Sequence, residues 1–474
     1  MIARAPSGYS CRVFSMQVAD REAEGKALRS ELPRSAHAEW EPAADRPDPV
    51  VLLQEQAGTR VPELVPIRYG RMLLSPLSFF RGAAYVMASD LARAPHTDLR
   101  VQLSGDAHLS NFGVYAAPDR RLVFSVNDFD ETLPGPFEWD VKRLVASFAV
   151  AGRDRGLDDK ERRAVTIAAA RSYREAMHEF ARMPALDVWY ARLDVEEVTS
   201  NWLRHVGTKR RRRIERDLAK ARAKDHLRAF DKLTETVGGE PRIISDPPLV
   251  VPVDELAEPD RISQAVQAIT RSYRRTLPAD RRHLLARFRY VHAARKVVGV
   301  GSVGTRVFIL MLLARDQQDP LFLQLKEAER SVLEPFLGES EYGNHGRRVV
   351  EGQRLTQSAT DILLGWVRTE DIDGTNRERD YYVRQLWDGK ASLSIESLDS
   401  SSLAVYAEIC GRTLARSHAR SGDAVMIDGY LGRGGAFDRA VAGFAESYAD
   451  QNERDYAALN DAAAKGRIDV AAGL

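Results

Sequence analysis

The chain contains very few cysteines: Cys11 and Cys410 are the only two in 474 residues. Two cysteines cannot build a disulfide framework or a cysteine-based zinc site. Isolated thiols fit a reducing compartment, so we expect a cytoplasmic protein.

Long hydrophobic segments are also missing. The longest apolar run, VFILMLLA at 307–314, has the length of a buried strand or a short core helix. No run reaches the roughly 18 residues that a membrane-spanning helix needs. The N-terminal residues lack the apolar core of a signal peptide, and we therefore expect no association with a membrane.

Neither sign of charge is in excess, because 69 Lys and Arg against 68 Asp and Glu give a net charge of +1. This balance provides no global attraction to nucleic acid or to an anionic membrane. The strongest basic cluster, KRRRRIERDLAKARAK at 209–224, is interrupted by acids and has no aromatic residues for stacking on bases. We interpret it as a solvated helix with i,i+4 ion pairs, with binding of nucleic acid or of an acidic partner as the alternative. Nothing in the sequence indicates an oligomeric state.

The most informative segment is GDAHLSNFG at 105–113, which NDFDE follows at 127–131. We predict a strand at 100–103 before the first run and a strand at 122–126 before the second, with PDRR at 118–121 as a turn between paired strands. A D-x-x-x-x-N spacing followed by an Asp-Phe pair is typical of phosphotransferases of the protein-kinase type. These enzymes place a base and magnesium ligands around a γ-phosphate.

The residue types in the two runs suit that chemistry. Asp106 is the candidate base for the hydroxyl proton of an acceptor. Asn111 and Asp128 offer the oxygen atoms that magnesium prefers, and Asp130 is a further candidate metal ligand. His108 is a second catalytic candidate within the loop, or it fixes the loop's shape by hydrogen bonds. The alternative for the whole segment is an ordinary turn, in which Asp, Asn and Gly are also common.

Asp140 follows in GPFEWDVKRL, at the predicted start of the next helix. Two interpretations are open. The carboxylate either serves only as a first-turn acid at the helix N-terminus, or it is a structural residue that braces the backbone of the loop at 105–111.

Together, GDAHLSN, NDFDE and WDVKRL resemble the GD-x-H-x-x-N, DFG and D-L-A-x-L motifs of aminoglycoside phosphotransferases and choline kinases. The resemblance implies that Asp106 is the catalytic Asp, that Asn111 and Asp128 hold magnesium, and that Asp140 is the structural Asp. Two departures are Ser104, where those kinases often have His, and Asp130, where they have Gly.

The whole chain also resembles the bacterial family catalogued as domain of unknown function 2252, over roughly residues 35–460. The segments GDAHLSNFG, NDFDE, VGVGSVGTR and LARSHARSGD carry this likeness. The family name by itself implies no particular chemistry.

A second motif lies far downstream, where Gly299, Gly301 and Gly304 form G-x-G-x-x-G. Glycines let backbone amides approach a phosphate closely. The residues after Gly304 are rich in Val, Phe, Ile and Leu, so we predict strand, glycine loop and strand, the arrangement of kinases. A Rossmann motif requires a helix after the glycines. A structural hairpin turn is the other alternative.

Lys326 ends the next predicted strand. A strand lysine in kinases holds the α- and β-phosphates and pairs with a glutamate on a helix. We predict Glu351 on the following helix as this partner, with Glu334 as the second candidate. The alternative is an exposed lysine at a strand end. Arg306 is a further candidate phosphate contact.

The order of the two motifs is reversed relative to ordinary kinases, in which the glycine-rich lobe comes first. We therefore predict an α+β, protein kinase-like two-lobe fold that is circularly permuted. The expected segments are a polar, loosely ordered arm with a short helix near Val50–Gln56 (1–60), a helical catalytic lobe (61–290), a β-rich nucleotide lobe (291–390), and C-terminal helices that complete the helical lobe (391–474). RQLW at 384–387 is expected near the hinge.

The predicted function is ATP- and magnesium-dependent phosphoryl transfer to a hydroxyl of a small molecule or of a protein. One alternative is a nucleotide-binding pseudokinase or an adenylyl-transferring relative. The other is a metal-dependent phosphohydrolase that uses Asp106, His108, Asp128 and Asp130 and does not need the glycine loop. The sequence does not identify the acceptor, because fold does not fix substrate.

Overall fold

The structure is a computed structural model that describes residues 16–196, 226–317, 319–370, 377–386, 395 and 398–471. The basic run at 209–224, Cys11 and Trp387 lie outside these residues. The described ranges combine helices with antiparallel sheets, which confirms the expected α+β class. None of the helices in them is both long and apolar enough to cross a membrane.

Five helices come first along the described chain. They are α1 (Val18–Glu31), α2 (Pro49–Ala57), α3 (Val65–Met72), α4 (Pro76–Gly82) and α5 (Ala84–Leu91). Asp48 starts α2 by accepting a hydrogen bond from the Val50 amide at 2.8 Å, and Pro49 occupies the first turn. Both are favourable at a helix start, where the backbone amides lack partners within the helix.

The expectation of a loosely ordered arm over residues 1–60 is wrong for α1, whereas the short helix expected near Val50–Gln56 is confirmed by α2. A Cβ on Gly25 would lie 2.1 Å from the carbonyl oxygen of Met426, so α1 packs tightly on a C-terminal helix. Arg29 donates from Nε to the carbonyl oxygen of Tyr430 at 2.9 Å. The polar composition misled the prediction, because these side chains satisfy the last carbonyls of that helix instead of facing water.

Two short antiparallel strand pairs hold the first motif. The strands are β1 (Arg100–Leu103), β2 (Phe112–Ala116), β3 (Leu122–Val126) and β4 (Leu133–Pro136). β1 pairs with β4, and β2 pairs with β3. The predicted strands at 100–103 and 122–126 are confirmed. So is the turn at 118–121, which a hydrogen bond from Ala117 N to Arg121 O closes at 2.9 Å.

A helical core follows these strands. Its elements are α6 (Phe137–Asp154), α7 (Asp159–Phe180), α8 (Ala185–Tyr190) and the short strand β5 (Leu193–Asp194). α6 is buried along its length from Phe137 to Gly152. Its apolar stripe (Val141, Leu144 and Phe148) packs in the largest core of the protein. The packing of α6 in this core fixes its position beside the first motif.

The β-rich unit comprises helices around one large sheet. In chain order its elements are α9 (His226–Leu233), β6 (Thr234–Val237), β7 (Glu240–Ile243), β8 (Val250–Pro252), α10 (Pro259–Thr276), α11 (Ala279–Leu285), β9 (Arg289–Lys296), β10 (Val307–Leu313), β11 (Pro320–Glu327), α12 (Glu334–Leu337), α13 (His345–Thr356), β12 (Gly365–Glu370) and β13 (Glu378–Gln385). The sheet order is β12-β13-β11-β10-β9-β8, and every pairing is antiparallel. β10 and β11 are buried along their whole length, which explains the unbroken apolar run VFILMLL.

This unit begins before residue 291, where the sequence analysis places its start. β8 is a member of the large sheet, and α10 packs on one face through Ile269 and Tyr273, in one apolar core with Leu310 and Leu323. The boundary prediction missed β8 because Pro247 and Pro248 precede this three-residue strand and Pro252 ends it, which masks its pattern.

The C-terminal helices return to the helical core. They are α14 (Ser400–Ser421), α15 (Ala424–Leu431) and α16 (Ala436–Ala464). α14 lies against α7 at a close approach, since a Cβ on Gly411 would be 2.3 Å from the carbonyl oxygen of Ala169. These helices share the largest core with α6 and α7, so the two ends of the chain build one helical unit.

Candidate functional site

The loop between β1 and β2 is forced into its shape by one glycine and one carboxylate. Gly105 has a positive φ of 80°, and a Cβ there would lie 2.4 Å from the carbonyl oxygen of Glu131. Only glycine suits a left-handed conformation at so close an approach. The loop that carries Asp106 is therefore pressed against the acidic turn at 127–131.

Asp140, in the first turn of α6, supports the same loop from below. Its carboxylate accepts hydrogen bonds from Ser104 N at 2.7 Å, Ser104 Oγ at 3.0 Å and Gly105 N at 3.0 Å. His418 Nε2 lies 3.3 Å from it. These contacts favour the interpretation of Asp140 as a structural residue that braces the loop over that of an acid serving only the helix N-terminus. Ser104, a departure from the kinase motif, contributes two of these contacts, one from its backbone and one from its hydroxyl.

Asp106 is held by a residue that the sequence analysis missed. Arg143 Nε donates to Asp106 Oδ1 at 2.7 Å, and the same guanidinium lies 4.4 Å from the ring centre of Phe80. Burial raises the pKa of the Asp106 carboxyl, and Arg143 opposes that shift. Arg143 follows Asp140 by one helical turn, so the i,i+3 spacing in WDVKR was the signal available in the sequence.

His108 and Asn111 form the rest of the loop. His108 Nδ1 accepts a hydrogen bond from Ser110 N at 3.2 Å, and its Nε2 lies 3.8 Å from Asp106 Oδ2. Burial and the neighbouring Arg143 hold the pKa of His108 well below its ordinary value, so the ring is neutral. The Asn111 amide nitrogen donates to the Asp106 carbonyl at 2.8 Å, which leaves the amide oxygen as its ligating atom.

The acidic turn after β3 contains two carboxylates with opposite tendencies. Burial favours protonation of Asp128, but Lys326 and Arg384 outweigh it and hold the pKa below the ordinary value. Burial and the charge of Asp128 raise the pKa of Asp130. Asp128 also accepts a hydrogen bond from Asp130 N at 3.2 Å, which fixes the turn. Asp128 is therefore the more strongly ionised of the pair.

Lys326, on β11, meets this turn from the opposite side. Its Nζ lies 4.0 Å from Asp128 Oδ2, forms an ion pair with Asp130 Oδ2, and donates to Ser302 Oγ at 2.8 Å. Only 3% of its side chain is exposed, so it is not the exposed strand-end lysine that was the alternative. Burial lowers the pKa of Lys326, but the two carboxylates outweigh it and raise the pKa above the ordinary value.

The glycine motif forms the loop between β9 and β10. A strand follows Gly304, which excludes the Rossmann arrangement. Gly299 and Gly304 have positive φ values of 71° and 92°. Gly301 has no such φ, but a Cβ there would lie 3.2 Å from the carbonyl oxygen of Arg81. Arg71 Nη1 donates to the carbonyl oxygen of Gly299 at 2.7 Å and anchors the loop.

The structure does not bring the predicted helix glutamates to Lys326. Glu351 contacts Arg347 at 3.9 Å and Arg354 at 3.5 Å, both on its own helix α13. Glu334 is buried and contacts Arg330 at 3.1 Å. These predictions are wrong because each acid has arginines one turn away, at helical spacing, while Lys326 is already neutralised by the acidic turn.

Arg306, the further candidate for phosphate, is engaged elsewhere. Its backbone amide donates to Glu327 Oε2 at 2.9 Å, and its Nη1 lies 3.5 Å from the same oxygen. Glu327 also pairs with Arg379 at 2.8 Å. Arg306 therefore helps to fix the end of β11 beside Lys326.

A cavity of about 640 Å³ opens between the two motifs. This volume lies within the usual range of pockets for small molecules and cofactors, roughly 300–1,000 Å³. Several predicted site residues line it, whereas Gly304, Lys326, Glu351 and Asp140 do not. The lining predicted residues are Asp106, His108, Asn111, Asp128, Asp130, Gly299 and Gly301.

The oxygen atoms in this cavity suit magnesium, which keeps water and phosphate ligands, better than a metal ion whose ligands all come from the protein. Among the described residues, no group of three or more His, Cys, Asp or Glu side chains is arranged to hold a metal ion. Magnesium commonly uses one or two carboxylates and completes its shell with water and substrate phosphates. Asp128, whose pKa is held below its ordinary value, and Asn111 both line the cavity and offer oxygen atoms of this kind.

The family described as "Uncharacterized protein conserved in bacteria (DUF2252)" matches residues 60–462 of the chain. Since this match covers most of the chain, the protein belongs to that family. Comparison with curated proteins finds no match, and comparison with solved structures finds none either.

Proposed function

We propose that this member of the DUF2252 family is an ATP- and magnesium-dependent phosphotransferase with a circularly permuted kinase-like fold. It transfers a phosphoryl group to a hydroxyl of a small molecule or a protein. The observation that carries the proposal is that Lys326 Nζ, buried behind the cavity wall, lies 4.0 Å from Oδ2 of Asp128, which lines the cavity. A nucleotide bound in the cavity would lie next to both groups.

The order of elements around the cavity supports the kinase-like fold. The glycine loop joins β9 to β10, and Lys326 lies on β11, the next strand, as kinases place their lysine on the third strand. On the other side, the Asp106 loop leads into the β2–β3 hairpin and then the acidic turn. This is the relative position of base and metal turn in kinases, with the two halves of the chain in reversed order.

Each group has a defined task in this proposal. Asp106 accepts the proton of the acceptor hydroxyl while the new oxygen–phosphorus bond forms and the bond between γ-phosphorus and the bridging oxygen breaks, releasing ADP. Lys326 and the backbone amides of the glycine loop hold the phosphates. Asn111 and Asp128 hold magnesium, which when bound neutralises charge on the phosphate oxygens. His108, which is neutral, keeps the loop in shape.

The Arg143–Asp106 ion pair favours a second candidate, nucleotide binding without phosphoryl transfer to a hydroxyl, including adenylyl transfer. A carboxylate held by an arginine is a weaker base than a free one. Burial acts in the opposite direction on the pKa of Asp106, so we retain phosphoryl transfer as the first choice.

A metal-dependent phosphohydrolase finds less support. That reaction would use Asp130 and His108 as metal ligands, but Lys326 neutralises Asp130 and a backbone amide occupies His108 Nδ1.

The test is a panel of nucleotides with and without magnesium, measured by thermal unfolding of the wild-type protein. A nucleotide at 100 times its dissociation constant stabilises the native state by about 2.7 kcal/mol. Bound nucleotide is then incubated with hydroxyl compounds, and ADP is distinguished from AMP and pyrophosphate. Absence of stabilisation by every nucleotide would overturn the proposal. Release of pyrophosphate, with AMP retained on the acceptor, would favour adenylyl transfer, and hydrolysis of phosphate esters without ATP would favour the phosphohydrolase.

A further inference from the structure

Three side chains from three separate segments meet at one carboxylate beside the glycine loop. Asp130 Oδ1 accepts a hydrogen bond from the Tyr382 hydroxyl at 2.9 Å, and Asp130 Oδ2 forms the ion pair with Lys326. The Ser302 hydroxyl lies 3.4 Å from the same Oδ2. Both carboxylate oxygens of Asp130 are thus engaged by protein groups.

The register of the large sheet explains why Lys326 and Tyr382 reach the same carboxylate. They are direct partners across the antiparallel strands β11 and β13. Directly opposite residues in such a pair project from the same face of the sheet. Tyr382 is only 1% exposed, so its position is fixed by packing. The two side chains therefore contact the carboxylate of Asp130 from fixed positions on the same face of the sheet.

Helix α13 contributes an arginine where a kinase would use a glutamate. Arg348 donates to the carbonyl oxygens of Asp130, Thr132 and Glu329, each at 2.8 Å, and it is 2% exposed. Helix α13 thus holds the backbone of the acidic turn. The carboxylate that pairs with Lys326 comes from Asp130 in that turn and not from the helix.

Resting on the proposed function, we infer that Asp130 is the positioning residue that orients Lys326 toward the nucleotide phosphates, with Tyr382 holding Asp130 in place. Asp130 then replaces the helix glutamate predicted at Glu351, and it is not a metal ligand. Asn111 and Asp128 are left to hold magnesium. The lysine of this site is consequently coupled to the acidic turn directly, and α13 supports that turn through the Arg348 contacts.

Nucleotide affinity with and without magnesium separates the two roles of Asp130. The probe is ATP, titrated into the full chain by calorimetry in excess magnesium and again in EDTA. If Asp130 orients Lys326, Asp130→Asn weakens binding under both conditions, by about 10- to 100-fold, the loss typical when a residue that orients a metal ligand is replaced. Asp128→Asn weakens binding only with magnesium. Glu351→Gln is the matched control and leaves both affinities unchanged. Loss confined to the magnesium series in Asp130→Asn would overturn the inference.

A milder variant and a binding-independent measurement guard against misfolding. Tyr382→Phe removes one hydroxyl and is expected to weaken magnesium-free binding less than Asp130→Asn does. A double-mutant cycle on the urea midpoint then tests the pairing itself. Lys326→Met and Asp130→Asn are expected to be non-additive, whereas Lys326→Met and Glu351→Gln are additive.

The two experiments fail in distinguishable ways. If the wild-type chain binds ATP under neither condition, the proposed function fails together with the phosphate role of Lys326, while the cycle still decides the pairing. If ATP binds but the Lys326–Asp130 cycle is additive, the proposed function stands and the inference is overturned.

Discussion

Asp106 precedes and Asp128 follows the β2–β3 hairpin, and each is paired with a cation from a different part of the chain. Arg143 on α6 contacts Asp106 at 2.6 Å, and Lys326 on β11 lies 4.0 Å from Asp128. Burial keeps the pKa of Asp106 above its ordinary value although Arg143 opposes the shift, whereas Lys326 and Arg384 outweigh burial and hold the pKa of Asp128 below its ordinary value. Two carboxylates with separated pKa values suit a base and a metal ligand respectively.

We expect Asp128→Asn to abolish the magnesium-dependent part of nucleotide binding, because the variant loses the ionised ligand that the structure favours most. ATP with magnesium, supplied at 100 times its dissociation constant, stabilises the wild-type protein against unfolding by about 2.7 kcal/mol. The variant should gain no more with magnesium than without it. Thermal unfolding measures both. Asp119→Asn, which alters a surface aspartate paired with Arg192, is the control and should behave as wild type.

Asp106→Asn should reduce kcat for phosphoryl transfer by about 100- to 10,000-fold, the usual contribution of a general base. Asparagine preserves the shape of the side chain, so affinity for ATP should change little. ADP formation with a saturating acceptor gives kcat, and calorimetry gives the affinity. Unchanged kcat in Asp106→Asn would show that Asp106 is not the base.

The sequence revealed the site's polar groups but not the contacts that tune them. Both motifs lie on loops flanked by short apolar strands, and local patterning is enough to predict such loops. Arg143 and Tyr382 escaped notice because their roles depend on which face of a helix or strand meets a distant segment. The predicted pairing of Glu351 with Lys326 was wrong for the same reason. The position of an acid in the sequence does not show which arginines lie beside it in three dimensions.

The pH profile of transfer should report the Arg143–Asp106 pair. A base works only when deprotonated, so kcat/KM rises with pH through the pKa of Asp106, which burial raises and Arg143 lowers. Arg143→Gln removes the lowering influence, and the acidic limb of the profile should move to higher pH. A profile of kcat/KM between pH 4 and 8, roughly the range in which shifted carboxyl groups titrate, measures the shift. Movement of the limb to lower pH would contradict the assignment of Asp106 as the base.

We expect Glu131 to make the stability of the fold depend on pH. Burial raises the pKa of Glu131 from 4.5 to about 7. Because the folded-state pKa lies above the unfolded value, the stabilisation is fully present below pH 4.5 and is lost as pH rises through about 7. Glu131→Gln removes this titration. The difference in unfolding free energy between the variant and wild type should therefore favour the variant more at pH 8 than at pH 5. Urea midpoints at both values measure the difference, and a parallel pH dependence in the two proteins would contradict it.

Arg348→Met should destabilise the fold by about 3 kcal/mol, because it leaves buried carbonyl oxygens without the charged donor that now serves three of them. Methionine retains most of the apolar stem, so the loss is one of hydrogen bonds more than of packing. The neighbouring Arg347 is half exposed and contacts Glu351 on the surface, so Arg347→Met should change stability by less than about 1 kcal/mol. Urea unfolding compares the two variants on the same helix. Equal destabilisation would mean that α13 does not hold the acidic turn through Arg348. A loss confined to Arg348→Met, accompanied by weaker ATP binding, would tie the helix to the nucleotide site through the backbone of residues 128–132.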